Sequence, residues 1–432
     1  MSLFCIALPF DFLSLHGKSC KASHFFSLFA VFLDSFRKIC YYFSVRRFGI
    51  LVSVIFGFLS NRARSAPSCS KKHPEEGYVM IAKSRNSAIE LLRILSMLLI
   101  VGCHFATYGG FSFSASDLSC ARFLYGFWEL GGNLGTDIFV LISGYYLIEN
   151  DSFSIRREKA FRFWAQIFFW SLLLFAVSFL WGAGDLSGKN ILRTLFPVTF
   201  SRWWFASTYF VLYLLHPFLN RFLRSLSEKD YRRFLLVLLV LFCVLPTLTG
   251  SSFGGNELTG FIVLYTLAGY IKLHRPVRKR KSGTYFAAFG LFAALTYLSY
   301  VILILFGTKL PTLSRLSLWF YERDSLLTLG SALSLFFAFS SQKPFENRAV
   351  NTVASACFGV YLLHEHPAVR TLLWGKLFCG AKFADSPLLP LVWLGAVAAV
   401  YAAFTGLDLL RKEFLERPIF KALEKTQIWN KK

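Results

Sequence analysis

The sequence predicts an all-α integral membrane protein with about ten spanning helices and both ends in the cytoplasm. Three observations predict it. Of 432 residues, 55% are hydrophobic and only 16% charged, whereas a soluble domain usually carries about a quarter charged residues. The apolar residues fall in long blocks, not amphipathic stripes. The basic residues cluster in alternate gaps between those blocks.

The blocks cover residues 87–107, 128–148, 163–182, 203–221, 234–250, 258–273, 284–306, 324–340, 352–374 and 388–410. Each is near the length needed to cross a hydrocarbon core of about 30 Å. With the start of the first block in the cytoplasm, Arg156, Arg157, Lys159 and Arg162, then Arg221 to Arg233, then Lys272 to Lys281 and the tail from Arg411 all face that side. The opposite side is poorer in Lys and Arg. The bias follows the positive-inside rule at every turn except the weak one between the eighth and ninth blocks.

The net charge of +23 therefore reads as cytoplasmic loops facing anionic lipid, not as a nucleic-acid footprint. Nine cysteines are scattered without a CxxC pair, so neither a zinc site nor a disulfide framework is indicated. The chain shows no Walker A loop, no GxGxxG and no visible internal repeat.

Residues 1–79 do not conform. They contain one short apolar run at 48–59, too short to span comfortably. A targeting segment and an extra short helix are two readings. A third is a gene start placed too early. Codons for Glu75-Glu76-Gly77 can contain a purine-rich ribosome-binding sequence just before Met80, and Ile-Ala-Lys-Ser-Arg and an apolar helix follow. We read Met80 as the true start, residues 80–415 as one membrane domain and residues 416–432 as a basic cytoplasmic tail.

Ionisable groups at membrane depth are costly and therefore candidates for function. The first block carries Glu90, Arg93 and His104. Eleven residues is close to three helical turns, so Arg93 and His104 share a face about 16 Å apart along the axis. Glu90 and Arg93 are also neighbours; a structural ion pair is the plain alternative for these two, and an interfacial histidine for His104. In the second block, Asp137 lies at about the depth of His104. It suits two roles equally, orienting the imidazole or capping the helix after the glycines. Ser143-Gly144 also suits close helix packing. In the fourth block, Trp204, Phe205, Tyr209 and Tyr213 recur at helical spacing with His216, as an aromatic belt or a lined cavity. His364-Glu365-His366 offers a His-x-His pair, but no second ligand cluster supports it, so no metal is expected.

Arg85-Asn-Ser-Ala-Ile-Glu90-Leu-Leu-Arg93 followed by His104 resembles the opening helix of the acyltransferase family 3 membrane proteins, whose hallmark is an arginine, ten residues and a histidine. Gly135-Thr-Asp137-Ile-Phe-Val-Leu-Ile-Ser143-Gly144-Tyr145 resembles the family's second motif. Arg156-Arg157-Glu-Lys159, the stretch Trp204–Pro217 and Gly359-Val-Tyr361-Leu-Leu-His364 are similar to later ones. The resemblance covers about residues 83–410. Cys103 before the histidine, Thr136 and the N-terminal extension depart from the pattern.

The resemblance implies transfer of an acyl group, usually acetyl from acetyl-CoA, to a hydroxyl of a cell-envelope or exported carbohydrate, in the cytoplasmic membrane of a bacterium. No permanently bound cofactor is implied. His104 is then the candidate base, with Asp137 and Glu90 as catalytic candidates beside it and acyl-histidine chemistry as a variant. Arg93, Arg156 and Arg157 are candidates for holding CoA phosphates, although the last two serve equally as topology determinants. Ser143, Tyr145, Trp204, Tyr209, Tyr213 and His364 are candidate substrate-lining residues. A transporter or flippase of lipid-linked saccharides is the rival from another class, without the paired repeats common in transporters. A purely structural subunit would leave the His104 stripe without a purpose.

Overall fold

The structure is a computed structural model that describes residues 85–150, 155–180, 182, 184–274 and 282–425. The N-terminal extension and the proposed start at Met80 lie outside the described residues. Among the described residues there is no strand. The principal helices are α1 (Ser87–Tyr108), α2 (Cys120–Glu129), α3 (Gly131–Leu147), α4 (Arg157–Leu180), α5 (Gly188–Leu195), α6 (Trp204–Ser225), α7 (Glu228–Thr249), α8 (Glu257–His274), α9 (Ser282–Gly307), α10 (Leu326–Ser340), α11 (Arg348–Ser355), α12 (Cys357–His364) and α13 (Leu389–Arg411).

Five helices are long and apolar enough to cross a membrane by length and composition: α1, α4, α7, α9 and the helix that begins with α13 and runs on to Leu423. The other apolar blocks also fall on helices. However, α3 has 17 residues and α10 has 15. The ninth block is not one rod. It is divided at Ala356 and again after His364. The second break follows from Pro367. The residue before a proline is driven out of the helical region, and His366 accordingly sits at φ −62°, ψ 130°.

Helix starts obey local chemistry. Asn86 accepts from the Ala88 amide and opens α1, Ser227 accepts from Asp230 and opens α7, and Asn347 accepts from Val350 and opens α11. Each side chain satisfies an amide that the first helical turn leaves unpaired.

α1 is the central element and packs against α2, α3, α11 and α13. Of its apolar window 61% is buried, against 17% for α7 and α9, so the latter two are peripheral. On α9, Leu291, Leu295, Leu298, Ile302 and Leu305 form an exposed apolar stripe, which suits contact with lipid tails. The α1–α3 approach depends on glycine: a Cβ on Gly131 would lie 2.4 Å from the Leu99 carbonyl oxygen, and one on Gly135 2.7 Å from that of Ser96. Small residues at four-residue spacing allow this backbone proximity.

Candidate functional site

The last turns of α1 and α12 meet. His104 Nδ1 lies 2.9 Å from His364 Nε2 and 3.0 Å from Glu365 Oε2. His364 is fully buried, and its Nδ1 lies 2.6 Å from the Val360 carbonyl oxygen one turn earlier. A carbonyl only accepts, so His364 Nδ1 carries the proton and, in the neutral ring, Nε2 is an acceptor. His104 must then donate from Nδ1. The consequence is that the lone pair of His104 resides on Nε2, a nitrogen with no partner among the described residues. The His104 side chain retains 17% of its surface, which leaves the ring reachable.

Glu365 is held from its other side. Arg370 Nη1 donates to Glu365 Oε1 at 2.8 Å, and the Arg370 guanidinium stands 4.2 Å from the centre of the Tyr108 ring. Pro367 positions this arrangement. By ending α12, it lets Glu365 face α1 while Arg370 folds back to it. An acid between two histidines just before a proline, at membrane depth, was the available signal for Glu365; sequence reasoning assigned roles only to the histidines.

The structure does not bring Asp137 to His104. Nor does Asp137 cap α3, because it lies six residues inside that helix, whose start has no side-chain cap. Asp137 is fully buried and pairs with Arg323 Nε at 3.4 Å. A buried carboxylate must find a counter-charge, and the loop before α10 supplies it. The Arg323 guanidinium also pairs with Glu257 and lies over the rings of Trp204 at 4.7 Å and Phe261 at 5.3 Å. Arg323 is thus the second group that sequence reasoning missed. It lines a cleft of mixed character with Asn133, Glu257, Asp324, Phe242 and Leu264.

Glu90 likewise stays away from the histidine. It pairs with Arg93 at 2.7 Å in the first turns of α1, fourteen residues or about 21 Å of helix from His104. Glu90 and Arg93 thus form the ion pair that their spacing allows. Arg93 retains 30% side-chain exposure.

The remaining candidates divide. Tyr209 donates to Ser143 Oγ at 3.0 Å and stacks on Phe205. Phe205 meets Tyr361, and Tyr361 meets His364, with ring centres 5.6 and 6.2 Å apart. An aromatic line thus connects the Ser143–Tyr209 pair to the histidines. Tyr145 instead lies beneath Lys272 Nζ, 4.5 Å from its ring centre. Tyr213 turns to His216, which is bonded to the Tyr213 carbonyl. Arg156 and Arg157 are exposed at the start of α4. The His-x-His pair does not act as a pair: His366 Nε2 accepts from Arg202 at 2.6 Å, away from His364. Among the described residues, the set with the geometry to hold a metal is His104, His364 and Glu365.

A partly buried imidazole with a carboxylate at one nitrogen and a lone pair at the other is suited to taking a proton from a hydroxyl. Comparison with curated proteins and with solved structures gave no match. A family model described as an acyltransferase domain matches residues 86–407, a range that contains every residue of this site. The chain is therefore a multi-helix membrane protein of the acyltransferase 3 family.

Proposed function

We propose that the protein is a membrane O-acyltransferase of the bacterial cytoplasmic membrane, with ten crossings and both ends cytoplasmic. It moves an acyl group, with acetyl as the first candidate, from acyl-CoA to a hydroxyl of a cell-envelope or exported carbohydrate. The observation that carries this reading is the relay from Val360 through His364 to His104, closed by Glu365, which leaves one basic nitrogen open.

The chemistry follows from that nitrogen. His104 Nε2 takes the proton of the acceptor hydroxyl as its oxygen bonds to the thioester carbon. The tetrahedral intermediate then expels the CoA thiolate as the carbon–sulfur bond breaks, and His104 returns the proton to sulfur. While His104 is cationic, Glu365 at 3.0 Å stabilises it, because a nearby opposite charge favours the charged form. Arg93, partly exposed and with guanidinium N–H groups beyond the one given to Glu90, is suited to a CoA phosphate. Arg156 and Arg157 are exposed cations suited to the same phosphates.

The test is the acyl-ester content of envelope glycans in cells that express wild type, His104→Ala or Arg93→Ala at matched membrane levels. Ester that appears only with wild type supports the enzyme. Unchanged ester in every strain, with altered export of the glycan, overturns it in favour of a transporter.

A further inference from the structure

We propose that His104, His364 and Glu365 form a binding site for a divalent metal ion of the zinc class, and that an ion bound there takes His104 out of service as a base. The second clause rests on the proposed function; the first does not.

Three observations carry the site. The donors converge: His104 Nδ1 is 2.9 Å from His364 Nε2 and 3.0 Å from Glu365 Oε2, and all three atoms lie within 4.8 Å of one another. Zinc binds imidazole nitrogen and carboxylate oxygen at about 2.0–2.2 Å. Donors at the tetrahedral angle around such an ion are about 3.4 Å apart, so an outward shift of a few tenths of an ångström seats it. The donors are also pre-oriented. The Val360 carbonyl holds the His364 Nδ1 proton and so aims the Nε2 lone pair inward. Arg370 fixes Glu365 through Oε1. Such outer partners are what keep metal ligands in place. Finally, Glu365 Oε2 is buried and receives no hydrogen bond, so it is a carboxylate oxygen with capacity left.

The donor set selects the metal. Two imidazoles and one carboxylate suit zinc and its neighbours and do not suit magnesium or calcium, which demand oxygen shells. Two nitrogens and one oxygen leave a fourth tetrahedral position for water or an anion. The effect on chemistry is a matter of tautomers. A metal on His104 Nδ1 displaces the proton to Nε2, and that nitrogen then has no lone pair to accept the proton of a hydroxyl.

The test uses the full chain purified in detergent without a polyhistidine tag. Zinc binding is measured by equilibrium dialysis, and cobalt(II) is added separately to read the visible absorption of a tetrahedral site. One zinc equivalent should bind at micromolar concentration. Affinity should fall at least about tenfold in His364→Ala and in Glu365→Gln, and be unchanged in the control His274→Ala. In the unsubstituted protein, zinc should protect the accessible His104 from acylation by diethyl pyrocarbonate, read by mass spectrometry; this needs no variant to fold. Absence of saturable zinc uptake, equal uptake in all variants, or no protection of His104 overturns the site. If zinc fails to bind while ester formation still depends on His104, the metal inference falls and the enzyme reading stands. If zinc binds but no ester depends on His104, the reverse holds.

Discussion

Glu365→Gln keeps the size and one oxygen of the side chain and removes its charge, so it isolates the electrostatic part of the proposed base. The carboxylate oxygen lies 3.0 Å from His104 Nδ1, which puts the charge centres about 4 Å apart. At an effective dielectric of about 20, that interaction with a cationic His104 is about 4 kcal/mol. Part of it returns on relaxation, because Arg370 is 32% exposed and can turn to solvent once its partner is neutral. A net loss of about 2 kcal/mol in the transition state corresponds to about a thirtyfold lower rate. The loss should appear in kcat, with KM for acyl-CoA within about twofold of wild type, since Glu365 is placed to act on charge that develops only during reaction. The assay follows label from acyl-CoA into alkali-labile esters in membranes that contain equal amounts of protein. His104→Ala sets the floor, about 100-fold or more below wild type. A Glu365→Gln rate within about threefold of wild type would refute the carboxylate's role.

Asp137→Ala leaves Arg323 buried without its inner counter-charge, and should cost about 3–5 kcal/mol of stability; adding Arg323→Leu should restore part of it. Thermal melting in detergent checks both, and an unaffected melting point for the single variant contradicts the pairing. Gly359→Ala places a Cβ 2.1 Å from Asp408 Cγ, so α12 and α13 must separate, with a loss of about 1–3 kcal/mol read the same way. Tyr209→Phe removes one hydrogen bond to Ser143 and should change stability by only about 1 kcal/mol. Arg156→Ala combined with Arg157→Ala should raise KM for acyl-CoA with kcat preserved; an unchanged KM would leave these two as topology determinants alone.

The helices were legible because apolar block length is a property of the chain by itself. The starts of α7 and α11, at Glu228 and Arg348, lie several residues before the apolar blocks, because polar first turns capped by Ser227 and Asn347 carry no apolar signal. His104 stood out because an imidazole at membrane depth is expensive wherever the fold puts it. Its partner was not legible. Asp137 and Glu365 are both acids inside an apolar block, and nothing local says which will face α1. The choice is made by packing. Gly131 and Gly135 bring α3 so close to α1 that backbone, not the Asp137 side chain, fills the contact, while Arg323 arrives from 186 residues further along the chain to take the carboxylate. Pro367 could be read as a break, but its effect, turning Glu365 rather than Asp137 toward the imidazole, exists only in three dimensions.

The two ends of α1 divide the labour in a way that the charges themselves explain. At the first turns, Glu90 and Arg93 neutralise each other, and a carboxylate in the first turn also suits the positive end of the helix dipole. Glu90 is 5% exposed and gives Oε1 to Arg93. Arg93 is different. A guanidinium has five N–H donors, Glu90 takes one of them, and the side chain keeps nearly a third of its surface, so it can bind an anion without losing its partner. At the other end, His104 has its inner nitrogen filled and its outer nitrogen empty. The stripe is therefore a permanent cation and a neutral base, about 16 Å apart along one helix. A single extended substrate with phosphates at one end and a thioester at the other matches that spacing of functions. Under the proposed function, a CoA thioester laid along α1 accounts for a separation that would not suit a compact catalytic centre.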